Sequence, residues 1–353
     1  MALGGTLALA ISVFAFRDAQ LSRHNIRQLQ EERHTLWTQK ADLGARIARD
    51  LDSQLDVNFR ELGTEYVDRF GMDSIMGFGA IMVGIGTFLA IGGANPRVFR
   101  ASNLLSGYIG NAPVALFGLG NTAFSTYVWR RAYRHGVAAA KELDSGAFRR
   151  RIRRVKTHAA VAAVTGVMAG AASMVTATHW EGYPVLIPCI ISAIVCNCFW
   201  RNKIGYERPM VRHKLALDKA ALVEELNYII STRKQLKEAP LEWFSKLIPD
   251  SGSLASVLEF ISKNDLFDDF CLRLLKDEAL AISIFGALGH EIRIDEQSVL
   301  GADKLLHPQI HRVAEETLLK MGPTRFRYRE RYVLELLGCY ICSSGVEKAS
   351  EKC

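Results

Sequence analysis

Four long stretches of this chain contain no Asp, Glu, Lys or Arg, and they restrict the fold more than any other feature. They cover residues 75–93, 104–128, 159–178 and 183–200, and each is 18 to 25 residues long. A helix of about 20 apolar residues spans a hydrocarbon core of about 30 Å. The aromatic residues that stand at their ends favour the headgroup layer: Trp129, Trp180, Tyr183 and Trp200. The sequence therefore predicts an all-α, polytopic membrane protein with two transmembrane helical hairpins, 75–128 and 159–200.

Charged residues make up 23% of the chain and hydrophobic residues 49%, and the two kinds are segregated along it. This segregation predicts four parts: an apolar N-terminal segment 1–16, an amphipathic segment 17–72, a transmembrane region 73–200 and a helical C-terminal domain 201–353. Blocks of this kind are typical of a membrane protein with soluble parts.

Residues 2–16 are apolar and end at Arg17. Fifteen residues fall short of a full transmembrane helix, and no basic residue precedes them as in a cleaved signal peptide. Two interpretations stay open, a short signal-anchor that forms a fifth transmembrane helix and a segment that lies in the membrane interface.

Residues 17–70 contain no proline and carry regularly spaced apolar residues. Leu29, Leu36 and Leu43 recur every seven residues, and a second series follows at steps of three or four: Leu51, Leu55, Phe59, Leu62, Tyr66 and Phe70. The pattern predicts an amphipathic helix, interrupted at Gly44 or Gly63. Its apolar face could pack on the protein's own soluble tail, form a coiled coil with a partner, or lie on the membrane.

The distribution of Lys and Arg predicts the orientation. Loop 129–158 carries ten basic and two acidic residues, whereas loop 94–103 has two basic residues and loop 179–182 has none. Basic loops stay on the cytoplasmic side or its equivalent, the mitochondrial matrix. We therefore expect loop 129–158, segment 17–70 and the C-terminal domain on that one side.

The densest basic run follows Phe148 and consists of Arg149, Arg150, Arg151, Arg153, Arg154 and Lys156. Such a run beside a membrane helix either fixes the topology of that helix or holds anionic lipid headgroups, at about 1 kcal/mol per basic residue. Binding of nucleic acid is not expected, because the run lies within a few residues of the predicted bilayer.

Small residues recur at intervals of four in the apolar stretches, notably Ala80 with Gly84, and Ala162, Gly166 and Gly170. In lipid, this spacing lets two helix backbones approach closely. The faces predict packing among the chain's own helices, with self-association as the alternative.

The only strongly polar side chains inside the stretches are neutral. Asn111 with Pro113, and Asn121, lie in the second stretch. They indicate either a proline kink with hydrogen-bonded Asn side chains, or an unwound segment that lines a passive pore. Proton-driven transport normally needs ionisable groups in the membrane, and these stretches carry none.

The sequence contains only incomplete matches to catalytic and metal-binding motifs. His290 and Asp295 have the His-x4-Asp spacing of glycerolipid acyltransferases, but the other sequence blocks of that family are missing. His307, His311 and Glu315 have a spacing that could place three metal ligands on one helical face. Cys339 and Cys342 form a CxxC pair, and a structural zinc site would need further ligands.

These observations predict a non-enzymatic membrane organiser or adaptor without a cofactor, in an endomembrane or the mitochondrial inner membrane. Its partners would be the lipid bilayer, anionic lipid, and proteins or further copies of the chain that bind segment 17–70 or the small-residue faces. The alternatives are a channel or passive transporter near Asn111, and a membrane-bound lipid enzyme that uses His290.

Overall fold

The computed structural model describes residues 2–42, 45–142, 146–176, 179–206, 218–238, 243–248, 250–286 and 294–350. Those residues form helices, turns and bends, with no strand among them, so the all-α prediction is confirmed. They divide into two compact units, one of residues 1–204 and 338–353 and the other of residues 205–337. The last helix belongs to the second unit up to Leu337 and to the first from Gly338.

In the first unit the helices are α1 (Ala2–Asp42), α2 (Ala45–Thr64), α3 (Met72–Leu89), α4 (Pro96–Asn103), α5 (Ala112–Glu142), α6 (Gly146–Val175) and α7 (Tyr183–Phe199). The helices that follow are α8 (Lys219–Glu238), α9 (Trp243–Leu247), α10 (Leu254–Lys263), α11 (Phe267–Leu274), α12 (Glu278–Phe285), α13 (Glu296–Leu300) and α14 (His307–Ser350). Three π-helical segments, Glu65–Gly71, Leu104–Ile109 and Trp200–Ile204, join or extend them.

The apolar N-terminal segment is the first part of α1, which continues without a break past Arg17. It pairs antiparallel with α3 through glycines. A Cβ atom added at Gly84 would lie 3.0 Å from the Leu9 side chain, and one at Gly77 would lie 3.1 Å from the Phe16 ring. These glycines let two apolar helices lie in direct contact, as small residues do in membranes.

Segment 17–70 folds back on itself as a helical hairpin of α1 and α2. Leu36 of α1 packs with Leu51 and Leu55 of α2 in a buried cluster. Asn58 Nδ2 donates hydrogen bonds to the Leu29 carbonyl, at 3.0 Å, and to a Glu32 carboxylate oxygen, at 2.9 Å. The α1 part of segment 17–70 therefore packs against its α2 part.

Two details differ from the amphipathic pattern. Phe59 and Tyr66 are 49% and 42% exposed, although Val57 of the same segment is fully buried. Gly63 does not interrupt the helix. It makes room for the Phe124 ring, which a Cβ atom there would meet at 2.5 Å. Leu43 and Gly44 lie outside the described residues.

Within the described residues, three helices are long and apolar enough to cross a membrane: Leu51–Gly92, Gly146–Val175 and Tyr183–Ile204. They contain the first, third and fourth predicted stretches, except for residues 93 and 176–178, of which 177 and 178 lie outside the described residues. The second stretch is divided between a π-helix that ends at Ile109 and α5, which begins at Ala112. The count of four spans therefore stays a prediction, while the multi-pass membrane character is supported.

Helices α5 and α6 lie in direct backbone contact. A Cβ atom on Gly118 would overlap the carbonyl oxygen of Gly166, and one on Gly166 would lie 2.9 Å from the carbonyl oxygen of Gly118. Thr122 Oγ1 donates to the Gly118 carbonyl and lies 3.0 Å from the Ala163 carbonyl of the facing helix. Helix α7 packs on the other side of α6, where the Thr165 and Ser192 hydroxyls are 3.3 Å apart.

The second unit has its own apolar core. It is built from fully buried side chains of its successive helices: Leu222, Ile229, Leu258, Ile261, Phe270, Leu274, Ile310 and Phe326. Arg329 ties α14 to this core through an ion pair of 2.8 Å with Glu225 and a hydrogen bond of 3.1 Å to Asn264 Oδ1. Arg325 pairs with Asp269 at 2.8 Å.

Gly118→Leu is expected to destabilise the first unit, because its side chain cannot fit against the Gly166 backbone without moving a helix. The cost should be about 1–3 kcal/mol, as for other overpacked sites. Gly120→Leu is the matched control, because a Cβ atom there has nothing within 4 Å. Thermal unfolding in detergent should show a lower midpoint for Gly118→Leu alone, and equal midpoints would contradict the observed packing.

The pairing of α1 with α3 predicts a disulfide between cysteines placed at Leu9 and Gly84. Leu9→Cys removes the bulk that faces position 84, so the new Cβ atom fits. With a protease site inserted between residues 43 and 44, oxidised and cleaved chains should stay joined on a non-reducing gel. Leu9→Cys with Ile85→Cys is the control, since Ile85 is 40% exposed. If both cysteine pairs join the cleaved fragments to the same extent, the observed register of α1 against α3 is wrong.

Candidate functional site

The first unit contains a polar cluster contributed by three helices. Asp56 lies on α2, Arg131 and His135 on α5, and Cys339 on α14. Arg131 Nη2 donates to Asp56 Oδ2 at 3.0 Å and to Cys339 Sγ at 2.9 Å. The Arg131 Nε donates to the same carboxylate oxygen at 3.2 Å. One guanidinium thus joins all three helices.

The local sequence explains this arrangement. Arg131 and His135 are four residues apart on α5 and therefore point to the same side of the helix. Gly338 permits the approach of α14, because a Cβ atom there would lie 2.7 Å from His135 Nδ1. A side chain at position 338 would push the imidazole away. The glycine next to Cys339 is thus part of the cluster.

The cluster is largely shielded from solvent. His135 is 7% and Cys339 2% exposed, whereas the Asp56 side chain is 44% exposed and forms the open edge. The guanidinium counters the carboxylate charge and donates an N–H to the sulfur. Cys342 lies one turn further along α14, where burial raises the pKa of its thiol and the charges of Arg134 and Arg131 oppose that rise.

Asp56, His135 and Cys339 offer three different kinds of metal-binding atom. Their ligand atoms all lie within 4.8 Å of one another. In the part of the chain that the structure describes, this is the one place where three or more such side chains converge in this way. A carboxylate, an imidazole and a thiol together form a donor set typical of zinc and similar transition metals.

The basic run lies on the first turns of α6 and is mostly exposed. Arg149, Arg150, Arg153 and Arg154 face solvent. Arg151 donates to the Ile204 carbonyl at 3.1 Å. The Lys156 ammonium lies over the rings of Trp129 and Tyr133, 5.3 and 5.1 Å from their centroids. The exposed guanidinium groups thus stand at the end of a helix that continues into the third apolar stretch.

The small-residue faces predicted from the sequence lie between helices of the same chain. Gly166 faces Gly118, and a Cβ atom on Gly170 would lie 3.2 Å from the Ala115 carbonyl oxygen. Gly84 contacts α1, while Ala80 and Ala162, which belong to the same faces, are half-buried. The contacts seen are therefore intramolecular.

The polar residues of the second stretch are engaged in hydrogen bonds. Asn111 Nδ2 donates to the Gly107 carbonyl at 2.9 Å and lies 3.3 Å from Thr176 Oγ1. Pro113 sits in the first turn of α5, directly after the break between the helices. Asn121 Oδ1 accepts from Ser125 at 3.5 Å. Asn111 thus satisfies a carbonyl close to the break, as a kinked membrane helix requires.

In the second unit, the described residues of the two weak motifs form hydrogen bonds within the fold. Asp295 caps α13 and accepts from the Ser298 backbone N–H at 2.8 Å. Its predicted partner His290 lies outside the described residues. His307 Nε2 lies 3.2 Å from the Ala302 carbonyl oxygen and His311 Nε2 2.5 Å from the Ser251 carbonyl oxygen. These imidazoles bind separate carbonyl groups, and Glu315 does not join them in a ligand group.

Sequence reasoning missed Asp56, Arg131 and His135. They come from segments far apart in the chain, so no local spacing links them. The CxxC pair at Cys339 and Cys342 was the sequence feature that pointed to this site. The other candidate ligands, Asp56 and His135, lie on other helices.

Comparisons of this chain with protein-family models, with curated proteins and with solved structures found no match.

The ion pair of the cluster is expected to contribute to stability. Arg131→Ala should lower the unfolding midpoint in detergent, and the coupling with Asp56→Ala in a double-mutant cycle should be about 1 kcal/mol, since Asp56 is partly exposed. Arg130→Ala is the matched control, because the neighbouring Arg130 is exposed. If the two arginine variants unfold alike, Arg131 does not join the helices energetically.

Proposed function

We propose that the chain is a non-enzymatic integral membrane organiser that carries a helical platform on one side of the membrane and recruits protein partners to it. The observation that carries this proposal is the packing of its apolar helices. Gly118 and Gly166 bring two backbones into direct contact, and the neutral polar side chains beside them bond to neighbouring helices. Such a membrane region resembles an anchor more than a transport path.

The pairing of α1 with α3 supports a five-crossing topology. In this proposal residues 2–16 cross next to α3, followed by the second stretch, α6 and α7. The N-terminus then lies opposite the basic loop. Segment 17–70, loop 129–158 and residues 205–337 share the cytoplasmic or matrix side, as the basic residues favour.

The exposed arginines at the start of α6 supply a contact for anionic lipid. Arg149, Arg150, Arg153 and Arg154 are exposed, and Lys156 is held over two aromatic rings. At about 1 kcal/mol for each basic residue near an anionic surface, four arginines would hold this end of α6 firmly at the headgroups. The same charges would also fix the topology of the helix.

The helical hairpin of α1 and α2 presents a protein-binding surface near its tip. Trp37 is 51% exposed there, beside Lys40, whose ammonium lies 5.4 Å from the ring centroid and pairs with Asp52. Tryptophan is enriched among the residues that dominate binding energy in protein interfaces. An exposed tryptophan beside charged groups suits a protein partner with a small apolar pocket.

This function is tested by crosslinking in intact cells, followed by purification of the full chain. A defined set of crosslinked proteins is expected with the unchanged chain. Trp37→Glu should reduce those crosslinks about tenfold, as for loss of about 1.4 kcal/mol of binding energy. Gln39→Glu, an exposed change of equal charge two residues away, should leave them unchanged.

The same purified chain distinguishes the organiser from a passive pore. In liposomes it should give no more solute flux than protein-free vesicles. Flux above that level, abolished by Asn111→Leu, would replace the organiser with a channel. Crosslinks that do not respond to Trp37→Glu would remove the hairpin tip as the partner surface.

A further inference from the structure

We propose that Asp56, His135 and Cys339 bind one transition metal ion of the Zn²⁺ class. This site is independent of the proposed organiser function. It would join α2, α5 and the final part of α14 through metal bonds.

The geometry needs only small adjustments. Zinc bonds of about 2.0–2.3 Å to nitrogen, oxygen and sulfur place tetrahedral ligand atoms roughly 3.3–3.8 Å apart. The three ligand atoms already lie within 4.8 Å of one another. Binding of the ion would therefore draw the ligand atoms together by at most about 1.5 Å.

The donor set selects the class of metal. A thiolate and an imidazole favour Zn²⁺, Co²⁺ and related ions, whereas Mg²⁺ and Ca²⁺ require oxygen ligands throughout. His135 and Cys339 are buried, and the partly exposed Asp56 leaves a path for the ion from solvent.

Arg131 hydrogen-bonds to two of the proposed ligands without being a ligand itself. It binds Asp56 through Oδ2, and Oδ1 is the oxygen that we assign to the metal. Its Nη2 donates to Cys339 Sγ, a bond that favours the thiolate which a metal needs. Outer hydrogen bonds of this kind orient and tune the ligands of metal sites. The guanidinium also balances the charge of the cluster before metal enters.

Gly338 sets the position of the nitrogen ligand. A Cβ atom at this residue would lie 2.7 Å from His135 Nδ1 and 3.2 Å from the Cγ atom of the same ring. The imidazole is therefore held between α5 and the α14 backbone. Gly338→Ala should displace the ring and weaken metal binding without removing any ligand.

The test is a Co²⁺ titration of the metal-free, full-length chain in detergent. Binding of about one Co²⁺ per chain should produce the near-ultraviolet charge-transfer band of a thiolate–cobalt bond, together with the visible bands of tetrahedral Co²⁺. Zn²⁺ should displace both. The site is disproved if the chain gives no thiolate–cobalt band.

Variants assign the band to this site. Cys339→Ser should abolish it, and Cys271→Ser, which changes a cysteine of the second unit, should keep it. Asp56→Asn is a second variant that preserves size at a partly exposed position, and it should weaken Co²⁺ binding at least tenfold. A band that persists unchanged in both Cys339→Ser and Asp56→Asn would place the metal elsewhere.

An Arg131 variant and added Zn²⁺ test whether the cluster binds a metal or is only an ion pair. Because Arg131 orients the ligands and does not itself bind the metal, Arg131→Gln should keep the thiolate–cobalt band. It should weaken Co²⁺ binding about 10–100-fold. Zn²⁺ should also raise the unfolding midpoint of the unchanged chain, because a ligand that binds the folded state stabilises it. No rise at saturating Zn²⁺ would contradict the metal site.

Discussion

Close contact between helix backbones is the constraint on which the rest of the first unit depends. Lipid tails are as apolar as the side chains they replace, so burial from water does not drive these helices together. Dispersion and short polar contacts must do so, and both require close approach. Gly118 and Gly166 allow it between α5 and α6, and Gly77 and Gly84 allow it between α1 and α3.

Where α2, α5 and α14 meet, charged and polar side chains are largely buried together. Arg131 bonds to both Asp56 and Cys339, and His135 is enclosed against Gly338. Buried polar groups of this kind are costly unless each finds a partner. The result is a compact set of carboxylate, imidazole and thiol groups where three helices meet. The proposed metal site lies at this meeting point.

The predictions that succeeded concern local pattern. The absence of charge over residues 75–93, 159–178 and 183–200 indicated membrane helices, and the structure has long apolar helices over residues 75–92, 159–175 and 183–200 of them. The same reasoning was weaker for residues 104–128, because Asn111 and Pro113 break the helix that apolarity alone predicts. The amphipathic stripe of segment 17–70 was correct at Leu51 and Leu55 but not at Phe59. Periodicity assumes one buried face, whereas α2 is enclosed on several.

The sequence alone was sufficient to establish an all-α, multi-pass membrane protein, because hydrophobic length and charge segregation are properties of consecutive residues. It could not show that residues 2–16 pair with α3, since nothing local states which helix a glycine will face. Nor could it place Asp56 and His135 beside Cys339. That proximity arises when α2, α5 and α14 pack together, and Gly338 leaves just enough space for the imidazole between them. Contacts between distant segments depend on shape in three dimensions, which no spacing along the chain encodes.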